Sequence, residues 1–167
     1  MNIPLMLRVT IAASVAAAAV ACSKPASQDS TASSTPPPPP PTAESAAAAI
    51  KAAVPQITEV VPLTETNDDN HLLGRPNGYS AAVVLVDPRS DGFCESGKPG
   101  ADCGATVEQW PDQEAAQRRA DYIQKTYASM PALGTEWTVV KGNLLLRVTG
   151  KLPPSVEKEY EAAFNKG

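Results

Sequence analysis

The side chains of this chain that could do nucleophilic, acid–base or metal chemistry are few. The 167-residue sequence has one histidine, His71, and three cysteines. A single imidazole excludes an all-histidine metal site and a two-histidine acid–base pair. His71 follows Asp68 and Asp69, and catalytic triads assemble in space rather than in sequence. A small hydrolase or transferase that uses His71 with these aspartates is therefore one functional hypothesis. The sequence has no Gly-x-Ser-x-Gly elbow, paired-histidine zinc motif or phosphate-binding glycine loop, so it predicts no cofactor and no metal site.

Cys22 stands at the end of an export signal. Arg8 is the only charge before residue 24, and the uncharged, alanine-rich stretch 9–21 follows it. This stretch is shorter than the roughly 20 apolar residues of a membrane-spanning helix and is typical of a secretory signal peptide. Residues 19–22, Ala-Val-Ala-Cys, resemble the bacterial lipobox, with alanine where leucine is more usual. The resemblance implies that residues 1–21 are removed and that Cys22 carries a diacylglyceryl group; the alternative is an ordinary cleavage site.

Lipidation of Cys22 would leave Cys94 and Cys103 as a pair. A thiol pair in an oxidising envelope compartment is expected to be a disulfide. The spacing is not the Cys-x-x-Cys of a redox pair, so we predict a structural link. Stable membrane anchoring needs two signals, and a diacylglyceryl group supplies two acyl chains on one sulfur. The formal net charge of −4 provides no attraction to nucleic acid or to an anionic membrane surface.

A predicted turn carries the candidate ligand contacts. The sequence Leu-Leu-Gly-Arg-Pro-Asn-Gly-Tyr has proline and Asn-Gly where a tight turn favours them. Turns often carry function, and an arginine fork suits a carboxylate or a phosphate. Arg75, Asn77 and Tyr79 are therefore the candidate contacts; the alternative is an entry turn with a solvated or internally paired arginine. Trp110 and Trp137 are either core residues or the walls of a groove, and a chain with only 8 aromatic residues favours the core.

The composition divides the chain into a linker and one domain. Residues 22–45 are the lipidated cysteine and a Pro/Ser/Ala-rich linker with six consecutive prolines at 36–41. This linker cannot bury an apolar face, so we predict a disordered spacer with a polyproline II segment. The globular domain covers 46–167. Within it, 46–54 predicts a helix that either packs on the domain or extends the linker, and 56–63 predicts either a helical turn or an extended segment.

The rest of the domain contains two strand pairs, each followed by a helix. Hydrophobic periodicity and turn residues indicate the elements. The predicted order is strands at 79–86 and 105–110, a helix at 111–131, strands at 135–141 and 144–149 joined by a Gly-Asn hairpin, and a helix at 153–164. This ββαββα order predicts an α+β fold: a four-stranded, mostly antiparallel sheet with helices on one face.

The same segments carry a resemblance. The pattern from the lipobox through Leu-Leu-Gly-Arg-Pro-Asn-Gly-Tyr to Leu-Leu-Leu-Arg-Val-Thr-Gly-Lys-Leu-Pro-Pro resembles a group of small lipoproteins from high-GC Gram-positive bacteria. The resemblance covers most of the mature chain and implies one functional residue, Cys22. We predict an envelope protein held by membrane lipid on the extracytoplasmic face of the cell membrane. Its domain would bind an envelope protein, a wall component or a small ligand without catalysis, and not nucleic acid; catalysis by His71 is the alternative.

Overall fold

The computed structural model describes residues 39–91, 94 and 97–167. The predicted signal peptide, Cys22 and most of the predicted linker lie outside the described residues. The strands are β1 Glu59–Pro62, β2 Ala81–Val86, β3 Gly104–Gln109, β4 Glu136–Lys141 and β5 Leu144–Thr149. The α-helices are α1 Ala43–Ala53, α2 Gln113–Ser129 and α3 Pro154–Lys166. The strands form one antiparallel sheet in the order β1-β2-β3-β5-β4, so the predicted α+β class is confirmed.

The central strands of the sheet bury both of their faces. Val83 and Leu85 of β2 lie in one core, and Ala82 and Val84 lie in the other. Alternate residues of a strand point to opposite faces, so the unbroken apolar run of β2 requires cover on both sides. The predicted hairpin also forms: β4 and β5 are joined at Gly142, whose φ of 56° belongs to a turn that favours glycine.

Helices therefore cover both faces of the sheet, and the prediction of helices on one face was wrong. The first core contains α1 and α3, with Ile50 and Phe164 almost fully buried against β2, β3 and β5. The second core contains α2, which buries Ala116, Ala120 and Ile123 against the opposite face. The physical reason is the two-sided apolar pattern of the central strands, which a single helical layer leaves half exposed to water.

The segment before the predicted sheet adds a helix and a fifth strand. Thr42 caps α1 in a capping box with Ser45, and Ala43 and Ala47 are fully buried. The helix thus packs on the domain, which begins at least three residues before the predicted boundary at residue 46. Residues 59–62 are extended as β1, so the prediction of four strands was also wrong.

Strand β1 forms one edge of the sheet. The N–H of Leu63 donates to the carbonyl of Ala82 at 2.8 Å. Because alternate residues of an antiparallel strand bond to the same neighbour, the outward-facing amide positions of β1 are those of Val60 and Pro62. Proline has no N–H, so this edge offers a single outward donor.

Candidate functional site

Helix α2 positions the side chains of the candidate site. Its N-cap is Asp112, whose side chain accepts a hydrogen bond from the N–H of Ala115 at 2.7 Å. With Ala116 and Ala120 buried against the sheet, the helical periodicity places Arg119 and Tyr122 on the flank of the helix.

A cleft of about 530 Å³ lies beside the N-terminal half of α2. Its lining includes Leu72, Asn77, Trp110, Arg118, Arg119 and Tyr122, and we call it the α2 cleft. The Tyr122 side chain is 62% exposed, an unusual degree for an aromatic residue. Asn77 is exposed and has a φ of 63°, so the predicted turn projects into the wall of this cleft.

Arg119 is held in the α2 cleft by a side chain of the loop before β2 and by a ring of its own helix. One terminal nitrogen donates to Oδ1 of Asn70 at 3.2 Å, and the guanidinium carbon lies 5.7 Å from the centre of the Tyr122 ring. Its Nε lies 4.0 Å from Oε2 of Glu108, too far for a hydrogen bond. The other terminal nitrogen has no hydrogen-bond partner among the described residues. The orientation of this arginine is thus fixed while part of its donor capacity is unused.

A set of buried charges lies beneath α2, on the sheet. Arg147 donates to Oε1 of Glu108 at 2.8 Å and makes two bonds to Glu136, at 2.7 and 2.9 Å. We call these three residues the buried ion network. The Nε1 of Trp110 donates to Glu108 at 3.0 Å, and the hydroxyl of Tyr127 donates to Glu136 at 3.2 Å. Each buried charge is therefore paired and hydrogen-bonded, as a low-dielectric site requires.

The buried ion network also determines the protonation of its members. Burial alone would lower the pKa of the Arg147 guanidinium, but the charge of Glu108 and the hydrogen bonds to Glu136 raise it above its usual value. Burial, together with the nearby charge of Glu136, raises the pKa of Tyr127 to about 12. Arg147 is charged and Tyr127 is neutral at physiological pH, so both remain hydrogen-bond donors.

The network reaches a second, smaller cleft on the other side of α2. This polar cleft, of about 210 Å³, has a lining that includes Asn70, Lys98, Asp102, Tyr127, Glu136 and Arg147. Its charged groups are largely paired with each other: Lys98 lies 3.3 Å from Asp69, and Arg147 is bound to Glu136. The hydroxyl oxygen of Thr106, the β3 residue opposite Arg147, is buried without a partner in the described part of the chain.

The predicted ligand contacts lie in different environments. Arg75 and Asn77 are exposed, and the N–H of Gly78 donates to the carbonyl of Arg75 at 2.9 Å, which confirms the turn. Gly78 is required there because a Cβ would overlap the carbonyl of Leu72. Tyr79, by contrast, is buried at 1% exposure and therefore contributes to the core. Of the three predicted residues, Asn77 lines the α2 cleft.

The side chain of Tyr79 is fixed by a buried carboxylate. Its hydroxyl donates to Asp68, and its ring meets that of Trp110 edge to face at 5.7 Å between centroids. Burial and the hydrogen bond to Asp68 raise the pKa of Tyr79 above its usual value. Although burial would raise the pKa of Asp68, hydrogen bonds from Tyr79 and from the backbone N–H groups of Leu73, Leu72 and Asn70 lower it.

His71 lies at the surface of the same loop. It is exposed, with a φ of 52°. Asp68 directs its two oxygens to the loop backbone and to Tyr79, and Asp69 pairs with Lys98. The backbone N–H of His71 donates to the carbonyl of Asp68 at 3.1 Å, but within the described residues no hydrogen bond joins the imidazole to either aspartate. The arrangement therefore lacks the acid–imidazole contact that orients a catalytic base.

A second buried carboxylate, that of Asp87, lies in the loop after β2. Asp87 accepts hydrogen bonds from Arg89, at 2.6 Å for the shortest, and from the hydroxyl of Tyr160 at 2.9 Å. Burial alone would raise the pKa of Asp87, but the bonds from Arg89 and Tyr160 lower it. Burial and the bond to Asp87 raise the pKa of Tyr160. This cluster ties α3 to the end of β2.

The cysteine pair follows the prediction. Cys94 and Cys103, which are nine residues apart in the sequence, form a disulfide. Cys103 immediately precedes β3. Lys151 pairs with Asp102 at 3.6 Å across the same loop. The disulfide thus holds one wall of the polar cleft. Cys22 lies outside the described residues, so its lipidation stays a prediction.

Sequence reasoning missed the residues that build the two clefts. Glu108 and Arg147 each interrupt an apolar strand, and a charge in a buried strand demands a partner. That interruption is a signal visible in the sequence, but their pairing across β3 and β5 depends on the sheet register. Arg119 and Tyr122 lie three residues apart on α2, and only the packed helix shows that they meet the turn at Asn77.

Comparisons with protein-family models, curated proteins and solved structures find no match for this chain. In the part of the chain that the structure describes, no cluster of three or more His, Cys, Asp or Glu side chains could hold a metal ion. None of the described helices combines the length and hydropathy needed to cross a bilayer.

Proposed function

We propose that the protein is a binding module held on the extracytoplasmic face of the cell membrane by a lipid on Cys22. The lipobox-like sequence at residues 19–22 and the odd number of cysteines support the anchor. The domain presents the α2 cleft to a component of the cell envelope. No catalytic step is part of this proposal.

The observation that carries the proposal is the unused binding capacity of the α2 cleft. Tyr122 is 62% exposed, Asn77 is exposed with an amide that bonds to no described side chain, and Arg119 has one free terminal nitrogen. The buried ionisable groups, in contrast, are paired with each other in the buried ion network and at Asp68. A cleft with a few convergent polar groups and apolar walls is typical of ligand recognition.

Site-specific crosslinking in intact cells tests the function of the α2 cleft. A photoreactive phenylalanine analogue replaces Tyr122 in the full chain, and the same analogue replaces Lys125 as the matched control. Lys125 is exposed on the same helix and does not line the cleft. We expect a reproducible crosslink to an envelope component from position 122 and none from position 125. Equal crosslinking from both positions, or from neither, would refute a binding function for this cleft.

The mass of the mature protein tests the anchor. Intact mass spectrometry should reveal loss of residues 1–21 and addition of a diacylglyceryl group to Cys22. A Cys22→Ser variant should leave the membrane fraction. A native protein with an unmodified thiol at Cys22 would refute lipid anchoring, whatever the crosslinking result.

A further inference from the structure

We infer that the α2 cleft binds a saccharide that carries a carboxylate. This inference rests on the proposed binding function and names the chemical class of its ligand. Two sets of groups support it: a pre-oriented cation on one wall of the cleft, and an aromatic ring with a free amide around it.

The cation is Arg119. Its guanidinium is held by Asn70 at 3.2 Å and lies against the ring of Tyr122, so little side-chain entropy is lost when a ligand binds. Glu108 is already bound by Arg147 and Trp110, and it lies 4.0 Å from the Nε of Arg119, so it makes no hydrogen bond to this arginine. The free terminal nitrogen leaves two N–H donors for ligand oxygens, and a carboxylate oxygen accepts a strong charge-assisted hydrogen bond from such a donor.

Other charges around the cleft do not replace Arg119. Arg118 is bound to Glu114 at 2.7 Å, and Asp112 caps the helix through the N–H of Ala115. A phosphate group is usually held by several cations or backbone N–H groups. Arg118 and Glu114 are both exposed, at 62% and 84%, so Arg119 is the one pre-oriented cation in the lining of the α2 cleft, which favours a singly charged carboxylate.

The remaining walls suit a sugar ring. The exposed ring of Tyr122 provides a flat apolar surface against which the C–H face of a pyranose can stack, and Leu72 and Trp110 add apolar lining. The Asn77 amide has both donors and an acceptor available, the pattern that pairs with neighbouring hydroxyl groups. A cleft of about 530 Å³ accommodates one or two such rings.

Binding measurements with matched sugars test the ligand class. The full chain in detergent is titrated by calorimetry with N-acetylmuramic acid and with N-acetylglucosamine, which lacks the 3-O-lactyl group that bears the carboxylate. Lactate and inorganic phosphate serve as anions without a sugar ring. We expect N-acetylmuramic acid to bind at least about tenfold more tightly than each of the other three probes, because a charge-assisted hydrogen bond adds to ring stacking. Equal affinity for the two sugars, tighter binding of phosphate, or no binding of any probe would overturn the inference.

Variants locate the binding within the cleft. Arg119→Lys keeps the charge but loses the fixed direction of the guanidinium N–H donors, and should weaken N-acetylmuramic acid about tenfold while leaving N-acetylglucosamine unchanged. Tyr122→Ala should weaken both sugars, Tyr122→Phe should retain both, and Lys125→Ala is the matched control on the same helix. Unchanged affinities in Arg119→Lys and in Tyr122→Ala would also overturn the inference. If the crosslink from position 122 persists while the sugars fail to bind, the ligand class is wrong and the binding function stands.

Discussion

Replacement of Arg147 by methionine should destabilise the domain more than any surface charge change. The side chain of Arg147 is 11% exposed, and those of Glu108 and Glu136 are 1% and 3% exposed. Methionine has a similar length but removes the hydrogen-bonded counter-ion of both buried carboxylates, which leaves Glu108 with Arg119 at 4.0 Å and Glu136 with no paired cation among the described residues. Removing one partner of a buried ion pair costs about 3–5 kcal/mol, because the remaining charge is desolvated and uncompensated.

The expected size of the effect is measurable by urea unfolding. Small domains have a total stability of about 5–15 kcal/mol, so the variant should still fold, with a lower free energy of unfolding. With a urea m-value of about 1.5–2 kcal/mol/M, the midpoint should fall by roughly 1.5 to 3 M. Circular dichroism and tryptophan fluorescence follow the transition, and Trp110, which bonds Glu108, reports on this part of the core.

Two further variants separate the charge effect from packing. Arg118→Met removes an exposed arginine paired with Glu114 one helical turn away, and should change stability by less than about 0.5 kcal/mol. A triple variant, Arg147→Met with Glu108→Gln and Glu136→Gln, removes all three charges while each glutamine oxygen can still accept from its neighbour. We expect the triple variant to recover most of the loss.

The outcome that would refute this reasoning is specific. If Arg147→Met lies within about 1 kcal/mol of the native protein, the two carboxylates are not buried as charged groups in the folded state. If the triple variant is no more stable than Arg147→Met, lost packing rather than uncompensated charge explains the effect.

Three further predictions follow from the loops around the sheet. Tyr79→Phe removes the hydroxyl that donates to Asp68 and should cost about 1.5–3 kcal/mol of unfolding free energy, measured in urea. Joint replacement of Cys94 and Cys103 by serine should cost about 2.7 kcal/mol in the loop-entropy model for a ten-residue loop. Because the folded Asp87 has a pKa below 3.8, its stabilisation is complete above that value and is lost as the pH falls through the lower folded pKa. Asp87→Asn should therefore lower Tm at pH 7 and reduce its decline with acid, measured by calorimetry.

Each of these has a contrary result. An unchanged stability in Tyr79→Phe would mean that the Asp68 charge is satisfied by the backbone alone. An unchanged urea midpoint without Cys94 and Cys103 would mean that the loop is equally restricted in the unfolded chain. Parallel curves of Tm against pH for Asp87→Asn and the native protein would mean that this carboxyl is not the group that links folding to acid.

The sequence predicts the elements of this fold better than it predicts their arrangement. The Gly-Asn pair between β4 and β5 identifies the hairpin because its turn is local. Pro111 predicts the start of α2 to within two residues, because the N-cap is Asp112 and the helix begins at Gln113. Strand β1 is not firmly predicted because it is short and contains Pro62, and proline is disfavoured in the interior of a strand. The placement of α2 on the opposite face follows from the unbroken apolar run of β2, whose alternate residues lie in the two cores, but it requires knowing that both sides of this strand are buried.

The candidate site is harder to predict because its members are distant in the sequence. Asn77 is identified by its turn, which is a local feature. Arg119 is separated from Asn70 by 49 residues, and Arg147 is separated from Glu108 by 39. Such pairs are determined by strand register and helix packing, which local propensity does not encode. Tyr79 illustrates the converse: its type suggested a ligand contact, whereas the buried Asp68 accounts for its hydroxyl.

The proline in strand β1 has a consequence for how copies of this protein behave when they are crowded together. An exposed sheet edge is a template on which another chain can add a strand, and repeated addition produces aggregates. With Pro62 in an outward position, the edge has one outward N–H, that of Val60, and a second strand cannot complete a regular ladder there. Copies concentrated on a shared surface can therefore collide at this edge without polymerising. Pro62→Val adds a second outward N–H to the edge and should therefore promote aggregation.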